Sequence, residues 1–380
     1  MQSFIHNTNP ARVIFGAGSV SQLGDEVERL GCSRTLVVCT PGRAEMAETL
    51  SGSLGSHRVG IHAEARMHVP IETAEAGRAA TRSLNADSVV SIGGGSAIGL
   101  GKAIALECDV PLLSVVTTYS GSEMTSACGM VEGGRKVQHH SPRMLPRVVI
   151  YDSELTVNLP TSISGPSGFN AIAHSVGSMY RQASTPMLRL TSLDGIRAMA
   201  RALPRIMVDP SDLDARDEAL YGAWCCGMAA GSGARSIHHK LAHVVGGSFD
   251  LPHAETHTIL LPHSTAYNAE VEPDAMASIA EVLGVADAPK GLFDLEKAVG
   301  TPTALKDIGM PEDGLDQAAD EAMMASYPNP RPLDRDAIRK LLDNAWHGRE
   351  PTAVSQERRP REGGACCGPH NGDGFDVREP

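Results

Sequence analysis

The sequence has few aromatic residues, no excess of positive charge and no long apolar run. Phe, Trp and Tyr make up 4% of its 380 residues, and the formal net charge at pH 7 is −12. A chain with this charge is not expected to bind nucleic acid or an anionic membrane surface. No run of eighteen apolar residues is present, which argues against a membrane-spanning helix. The first residues lack the basic and apolar segments of a secretory signal, so we expect a cytoplasmic protein.

Cysteine pairs with the spacing of metal or redox sites are also missing. None of the eight cysteines forms a Cys-x-x-Cys pair, and they are scattered along the chain. This pattern indicates neither a zinc knuckle nor a disulfide framework.

Short apolar runs alternate with helical patterns between residues 12 and 152. The runs expected to form buried strands are Leu36–Cys39, Ser88–Ile92, Pro111–Val116 and Val148–Tyr151. The segments expected to form helices between them are Val20–Leu30, Ala44–Leu50, Glu72–Leu84 and Gly101–Leu106. Continuous apolar strands that alternate with helices predict an α/β domain with a parallel sheet over residues 1–152.

The strand signal fades after about residue 155, and helical patterns follow. They are Phe169–Gln182, Pro186–Ala202, Asp212–Gly231, Ser236–Val245, Thr265–Val282 and Asp334–Ala345. We therefore expect an all-α C-terminal domain over residues 153–348. Residues 349–380 have almost no aliphatic side chains, so we expect a disordered tail.

Five of the 15 histidines lie within the twenty residues 238–257. His239 and His243 are four residues apart, so a helix places both imidazoles on one face, and Pro252 starts a turn that brings in His253. The expected helix ends or loosens at Gly246-Gly247. Such a group can be a solvated helix face, but its apolar flanks favour a site for metal binding or proton transfer.

Three glycines and a serine, Gly93, Gly94, Gly95 and Ser96, follow the strand that ends at Ile92. Glycines at this place allow a phosphate to approach the backbone, and the free N–H groups of the following helix bind its charge. A tight turn without a ligand is the alternative. The strand–glycine–helix order favours a dinucleotide-binding domain.

A loop rich in hydroxyl groups follows the strand that ends at Val116. Its candidate cofactor-binding residues are Thr117, Thr118 and Ser120, because ligands of open α/β sheets bind at the carboxyl ends of the strands. The alternative is a loop that only caps the next helix.

Asn170 and His174 are four residues apart and share one face of the expected helix. Together with His239 and His253 they can complete a four-ligand site, although the pair alone is a weak signal.

Several separated motifs over residues 10–348 resemble the maleylacetate reductase branch of the iron-containing alcohol dehydrogenase superfamily. These motifs are Val13–Gly16, Gly93–Ser96 with Gly99 and Lys102, Tyr119–Thr125, Glu132–Lys136, Asn170–His174, His238–His263 and Tyr327–Pro332. The resemblance implies an active site between the two domains, NADH or NADPH as hydride donor, and reduction of maleylacetate to 3-oxoadipate in aromatic catabolism. We further expect a homodimer.

Two positions depart from the metal-dependent relatives. Asn170 stands where those relatives have an Asp, although this branch commonly carries Asn there, and Gly177 stands where they usually have Glu. His174, His239 and His253 can still bind Zn²⁺ or Fe²⁺, but an amide is a poor substitute for a carboxylate ligand. We therefore expect that a metal can bind but is not required for activity.

The chemistry requires a proton donor, stabilisation of an oxyanion and recognition of two carboxylates. His243 is the candidate proton donor or relay, and His239 and His253 complete the catalytic group. Arg135, Lys136 and Arg235 are candidates for binding the carboxylates, with Lys136 also a candidate for the cofactor.

Two other functions remain open from the sequence. One is a metal-dependent alcohol or polyol dehydrogenase of the same fold, which bound metal and activity on primary alcohols would favour. The other is a nucleotide-binding protein without catalysis, which cofactor binding without turnover would favour.

Overall fold

The computed structural model describes residues 11–180, 184–231, 236–324 and 327–353, without the side chain of Lys136. Six parallel strands form one sheet in the order β1-β8-β5-β4-β2-β3. They are β1 Arg12–Phe15, β2 Thr35–Val38, β3 Arg58–His62, β4 Ser88–Gly93, β5 Leu112–Val116 and β8 Val148–Tyr151. Four helices lie between these strands along the chain, namely α1 Leu23–Arg29, α2 Ala44–Leu50, α3 Ile71–Ser83 and α4 Gly95–Cys108.

A small antiparallel hairpin stands apart from the main sheet. It consists of β6 Ala127–Glu132 and β7 Arg135–His140, and Gly133 and Gly134 turn the chain with positive φ angles. Positive φ costs glycine little, so these residues suit the turn. This hairpin was not predicted from the sequence, and neither were the strands β1 and β3.

Nine helices follow in the part of the C-terminal half that the structure describes. They are α5 Thr161–Met179, α6 Pro186–Val208, α7 Leu213–Gly231, α8 Ile237–Ser248, α9 His253–Asn268, α10 Pro273–Leu283, α11 Ala288–Val299, α12 Gly314–Met323 and α13 Arg335–His347. The predicted class, a parallel α/β region followed by a helical region, is confirmed. None of the described helices is long and apolar enough to cross a membrane.

Several predicted helix bounds were wrong. The helix predicted over Thr265–Val282 is two helices, because Pro273 occupies the first turn of α10 and cannot donate a hydrogen bond inside a continuous helix. The helix α8 continues through Gly246-Gly247 to Ser248. The helix α4 begins at Gly95, six residues before the predicted start at Gly101. The predicted start of the disordered tail at residue 349 was too early, because Arg349 donates to Asp343 at 2.6 Å and Thr352 accepts from Asn344 at 3.1 Å. From residue 354 onward the predicted tail lies outside the described residues.

One apolar core joins the carboxyl edge of the sheet to the helices. Val116, Tyr119 and Tyr151 belong to the same buried cluster as Phe169 and Ala223 of the helical part. The sheet edge therefore cannot shift relative to α5 and α7 without opening a packed interior. Between these layers lies the candidate site.

Candidate active site

A cavity of about 570 Å³ opens between the carboxyl edge of the sheet, the hairpin and the helices α5, α8 and α9. A cavity of this size suits a cofactor or a small-molecule substrate. It lies at the carboxyl ends of parallel strands, where open α/β sheets bind their ligands.

The glycine-rich segment meets the cavity at the start of α4. Gly95 and Ser96 line the cavity, whereas Gly93 and Gly94 do not. A Cβ atom on Gly94 would lie 2.6 Å from Cγ2 of Thr118, but a Cβ atom on Gly95 would meet nothing within 4 Å. Gly95 is thus the glycine that leaves room for a ligand at the helix start, and Gly94 allows the chain to pack against Thr118.

The loop between β5 and β6, residues 117–126, forms the wall beside α4, and we call it the hydroxyl loop. Its residues Thr118, Ser120, Ser122 and Thr125 line the cavity. Thr117 is buried and instead donates its backbone N–H to Gly93 O at 3.1 Å. Two of the three predicted hydroxyl residues therefore reach the cavity, and Thr117 holds the two strand ends together.

The helix α5 presents one stripe of residues to the cavity. Pro166, Ser167, Asn170 and His174 all line it, as their helical spacing requires. Asn170 is largely buried, and its Oδ1 atom has no hydrogen-bond partner among the described residues. The predicted shared face of Asn170 and His174 is therefore present.

The predicted histidines meet on the opposite wall. His239 and His243 of α8 and His253 at the start of α9 line the cavity together with His174. Nε2 of His239 lies 3.0 Å from Nδ1 of His174, and the rings of His243 and His253 stack with their centroids 6.3 Å apart. His243 is the exposed member of this group.

A second layer of imidazoles lies behind this wall. His238 is buried, and its ring nitrogens lie 3.0 Å from Oγ of Ser264 and 3.0 Å from Nδ1 of His257. Burial lowers the pKa of His238 to about 3 and holds the pKa of His257 well below its ordinary value. Both rings are therefore neutral at pH 7 and support the cavity wall without adding charge.

In the part of the chain that the structure describes, the side chains do not form a ready-made metal site. Among the described residues, no group of three or more His, Cys, Asp or Glu side chains is placed to hold a metal ion. Asn170 supplies a neutral amide, and His174 and His239 are placed to share a hydrogen bond, in which one of the two rings must use its N–H. This donor set contains no anionic ligand, so it offers a divalent cation only neutral donors.

Unlike the histidines, the candidate residues for recognising carboxylates are not placed in the cavity by the described part of the chain. Arg135 does not line the cavity, because it lies exposed beside the hairpin turn. Lys136 follows it in β7, but its side chain is not described, and Arg235 lies outside the described residues. No arginine lines the cavity in the described part of the chain.

Other lining residues were not assigned a role from the sequence. His68 and His140 add two imidazoles, and Lys102 contributes a buried ammonium group. The backbone of His68 and Val69 has φ angles of 62° and 47°, which are rare for residues other than glycine. The ring of His68 meets the ring of His253 edge-on, with centroids 6.2 Å apart. No spacing in the sequence indicates these contacts, because they join distant segments.

Comparisons with known proteins give a consistent result. The family model for iron-containing alcohol dehydrogenase matches residues 10–153, and the model for the C-terminal part of that family matches residues 165–346. The chain is 49% identical to a maleylacetate reductase of Burkholderia cepacia, over 93% of this chain and 100% of the relative. It is 46% identical to the maleylacetate reductase of Pseudomonas aeruginosa, over 92% of this chain and 100% of the relative.

Solved structures agree with these relatives. The crystal structure of maleylacetate reductase from Agrobacterium tumefaciens superposes with a TM-score of 0.90 at 46% identity, covering 92% of this chain and 100% of that one. The maleylacetate reductase from Rhizobium sp. strain MTP-10005 gives a TM-score of 0.89 at 45% identity, covering 92% of this chain and 100% of that one. The chain therefore belongs to the iron-containing alcohol dehydrogenase family of oxidoreductases, in its maleylacetate reductase branch.

Proposed function

We propose that the protein reduces the carbon–carbon double bond of maleylacetate, giving 3-oxoadipate, in the catabolism of aromatic compounds. The observation that carries this proposal is one cavity that joins the start of α4 to a cluster of histidines, in a chain 49% identical to a maleylacetate reductase. The start of α4 suits the pyrophosphate of a nicotinamide cofactor, and the histidine cluster suits an acid–base reaction on a small polar substrate.

The cofactor would place its pyrophosphate at the start of α4. The free N–H groups and the positive dipole end of this helix favour an anion there, and Gly95 leaves the approach open. The hydroxyl groups of Thr118 and Ser120 lie on the neighbouring wall as further hydrogen-bond donors. The nicotinamide end would then extend along the cavity towards the histidines.

A bound nicotinamide cofactor would supply a hydride to the alkene carbon that is β to the ketone. The electron pair of the double bond moves to the ketone oxygen and forms an enolate, and a proton then adds to the carbon next to the ketone. His243 is the candidate proton donor, because it is the exposed imidazole of the α8–α9 wall. His239 and His253 can donate hydrogen bonds to the enolate oxygen, and no step is assigned to a metal.

The substrate carries two carboxylates, so the cavity must offer positive charge or hydrogen-bond donors. Six histidines line it, namely His68, His140, His174, His239, His243 and His253. The N–H groups of imidazoles can donate hydrogen bonds to carboxylates. Arg235 remains our candidate for a bidentate carboxylate contact because it is four residues from Gly231, which lines the cavity.

We infer that both NADH and NADPH serve as hydride donor. The segment after β2, Cys39–Arg43, contains no acidic residue to repel a 2′-phosphate and ends in an arginine. The ratio of kcat/KM for the two cofactors is therefore expected to stay below about a hundredfold, or ~2.7 kcal/mol. We further propose a homodimer in the cytoplasm, for which the mass in solution by light scattering is the check on the oligomeric state.

The test follows the absorbance of NADH and of NADPH with freshly prepared maleylacetate, with and without a chelator. We expect oxidation of both cofactors, unaffected by the chelator. Activity on primary alcohols that is lost to the chelator and restored by Zn²⁺ or Fe²⁺ would instead identify a metal-dependent alcohol dehydrogenase. Cofactor binding without turnover of either substrate class would leave only a nucleotide-binding protein.

A further inference from the structure

Lys102 is a buried cation beneath the proposed cofactor site. It lies on α4, seven residues beyond Gly95, and its side chain is 1% exposed. Its Nζ atom donates hydrogen bonds to Ser122 O at 2.6 Å, Thr125 Oγ1 at 2.8 Å and Ala127 O at 2.9 Å. An ammonium group has three N–H donors, and here each of them has an acceptor.

Two acceptors of Lys102 lie in the second half of the hydroxyl loop, at Ser122 and Thr125, and the third is Ala127, the first residue of β6. The opposite side of this loop presses against α7, where a Cβ atom on Gly121 would lie 2.9 Å from Cα of Gly227. The loop is therefore held between two helices, with α7 fixing it by close backbone contact and Lys102 fixing it by hydrogen bonds.

We propose that Lys102 is a positioning residue for the cofactor, because it fixes the hydroxyl loop against the helix whose first turn would receive the pyrophosphate. This inference rests on the proposed use of a nicotinamide cofactor. Thr118 and Ser120 face the cavity from the loop, and Gly95 and Ser96 face it from α4. Lys102 joins these two walls by hydrogen bonds from a side chain of α4 to the hydroxyl loop.

The charge state of Lys102 predicts that cofactor binding depends on pH. Burial lowers its pKa to about 8, while the charged and titratable groups that face it, Cys128 of β6 and Glu123 of the hydroxyl loop, raise it. A neutral amine has two N–H donors and one lone pair, so deprotonation leaves one of the three oxygen acceptors facing a lone pair. We therefore expect the loop to loosen, and cofactor binding to weaken, as the pH rises above about 8.

The experiment measures the dissociation constant of NADH by the fluorescence of the bound cofactor, from about pH 6.5 to about pH 9.5. For the wild type we expect a constant value up to about pH 8 and weaker binding above it. Lys102→Met should weaken binding at least about tenfold at pH 7 and remove the alkaline change. Its kcat at saturating cofactor should fall much less than its KM rises. Lys102→Arg cannot lose its charge in this range, so it should bind without an alkaline break.

Arg78→Met is the matched control. Arg78 donates to Ala103 O of α4 at 3.1 Å and to Sδ of Met130 in β6 at 4.0 Å, and both acceptors lie outside the hydroxyl loop. Its removal should therefore leave NADH binding unchanged. Binding by a folded Lys102→Met variant equal to that of the wild type would overturn the proposal. If that variant does not fold, a wild-type dissociation constant that stays flat across the whole range overturns it instead. A wild type that binds neither NADH nor NADPH would refute the proposed cofactor itself, which is a separate result.

Discussion

Two adjacent glycines at the start of α4 serve different purposes. Gly95 is exposed to the cavity, and a side chain there would occupy the space proposed for the pyrophosphate. A Cβ atom on Gly94 would lie 2.6 Å from Cγ2 of Thr118, so a side chain there would displace the hydroxyl loop. A substitution at Gly94 would therefore not isolate an effect on the ligand.

Gly95→Val should weaken cofactor binding by about tenfold or more, because backbone N–H groups bind phosphate only at close approach. The melting temperature should stay near that of the wild type, since nothing lies within 4 Å of the added Cβ atom. Steady-state KM for the cofactor and a thermal melt check both expectations. Normal cofactor affinity in the variant would show that the pyrophosphate lies elsewhere.

The assignment of the proton donor can be tested at a single imidazole. His243→Ala should lower kcat by about 10² to 10⁴, the usual contribution of a general acid. His139 offers a control on the hairpin, where it pairs with Glu132 at 2.9 Å and does not line the cavity. His139→Ala should keep the wild-type kcat. If His243→Ala also keeps it, another group protonates the substrate.

At the scale of the elements, Arg216 joins α7, α5 and the hydroxyl loop. Its side chain is fully buried and donates five hydrogen bonds to neutral oxygens. The acceptors are Pro210 O, Tyr119 Oη, Ser164 Oγ, Val157 O and Leu159 O. Removing the guanidinium would leave several buried oxygens without donors, and each costs about 1–3 kcal/mol.

Arg216→Met should therefore lower the free energy of unfolding by about 3 kcal/mol, measured by urea denaturation. Arg205 is the comparison on the neighbouring helix, where it pairs with Asp212 at 2.9 Å and Glu218 at 3.4 Å but remains exposed. Arg205→Met should cost less than about 1 kcal/mol, because exposed ion pairs contribute little. Equal losses from the two variants would contradict this difference.

The sequence predicts the elements that are buried on both faces and misses those that are not. β2, β4, β5 and β8 are continuous apolar runs, and all four were predicted. β3 is half-buried throughout and pairs on one side only with β2, so its apolar signal is diluted. β7 has the sequence Arg-Lys-Val-Gln-His-His, which carries almost no strand signal.

The sequence likewise predicts some residues of the candidate site and misses others. His239, His243 and His253 are close in the sequence, and their clustering predicted the site. His68 and Lys102 could not be assigned in this way, because their partners lie on other segments. Contacts between distant segments depend on the register of helices and loops, which a single sequence does not specify.

At the scale of the whole molecule, buried neutral histidines tie stability to pH. Burial lowers the pKa of His263 to about 4, and its ring packs edge-on against Phe293. In the unfolded chain a histidine has a pKa of about 6.5. Between these two values the unfolded chain binds a proton that the folded protein does not. The stabilisation is therefore complete above about pH 6.5 and is lost as the pH falls towards 4.

His263→Leu should lose less stability than the wild type on acidification. Each pH unit below about 6.5 lowers the free energy of unfolding by about 1.4 kcal/mol for one such histidine. At pH 5 the wild type should therefore have lost about 2 kcal/mol more of its free energy of unfolding than His263→Leu. Urea denaturation at pH 7, 6 and 5 measures the difference. His238 and His257 remain in both proteins and contribute in the same direction, so they cancel in the comparison. Parallel loss in both proteins would mean that His263 is protonated in the folded state.

The most direct test of the proposed reaction locates the transferred hydride. Maleylacetate is reduced with cofactor that carries deuterium at the transferable position, and the product is analysed by NMR and mass spectrometry. We predict 3-oxoadipate with one deuterium on the carbon next to the carboxylate that was conjugated to the alkene, and with the ketone intact. A hydroxy acid that keeps its double bond, with deuterium on the carbinol carbon, would contradict reduction of the alkene and identify a ketone reductase.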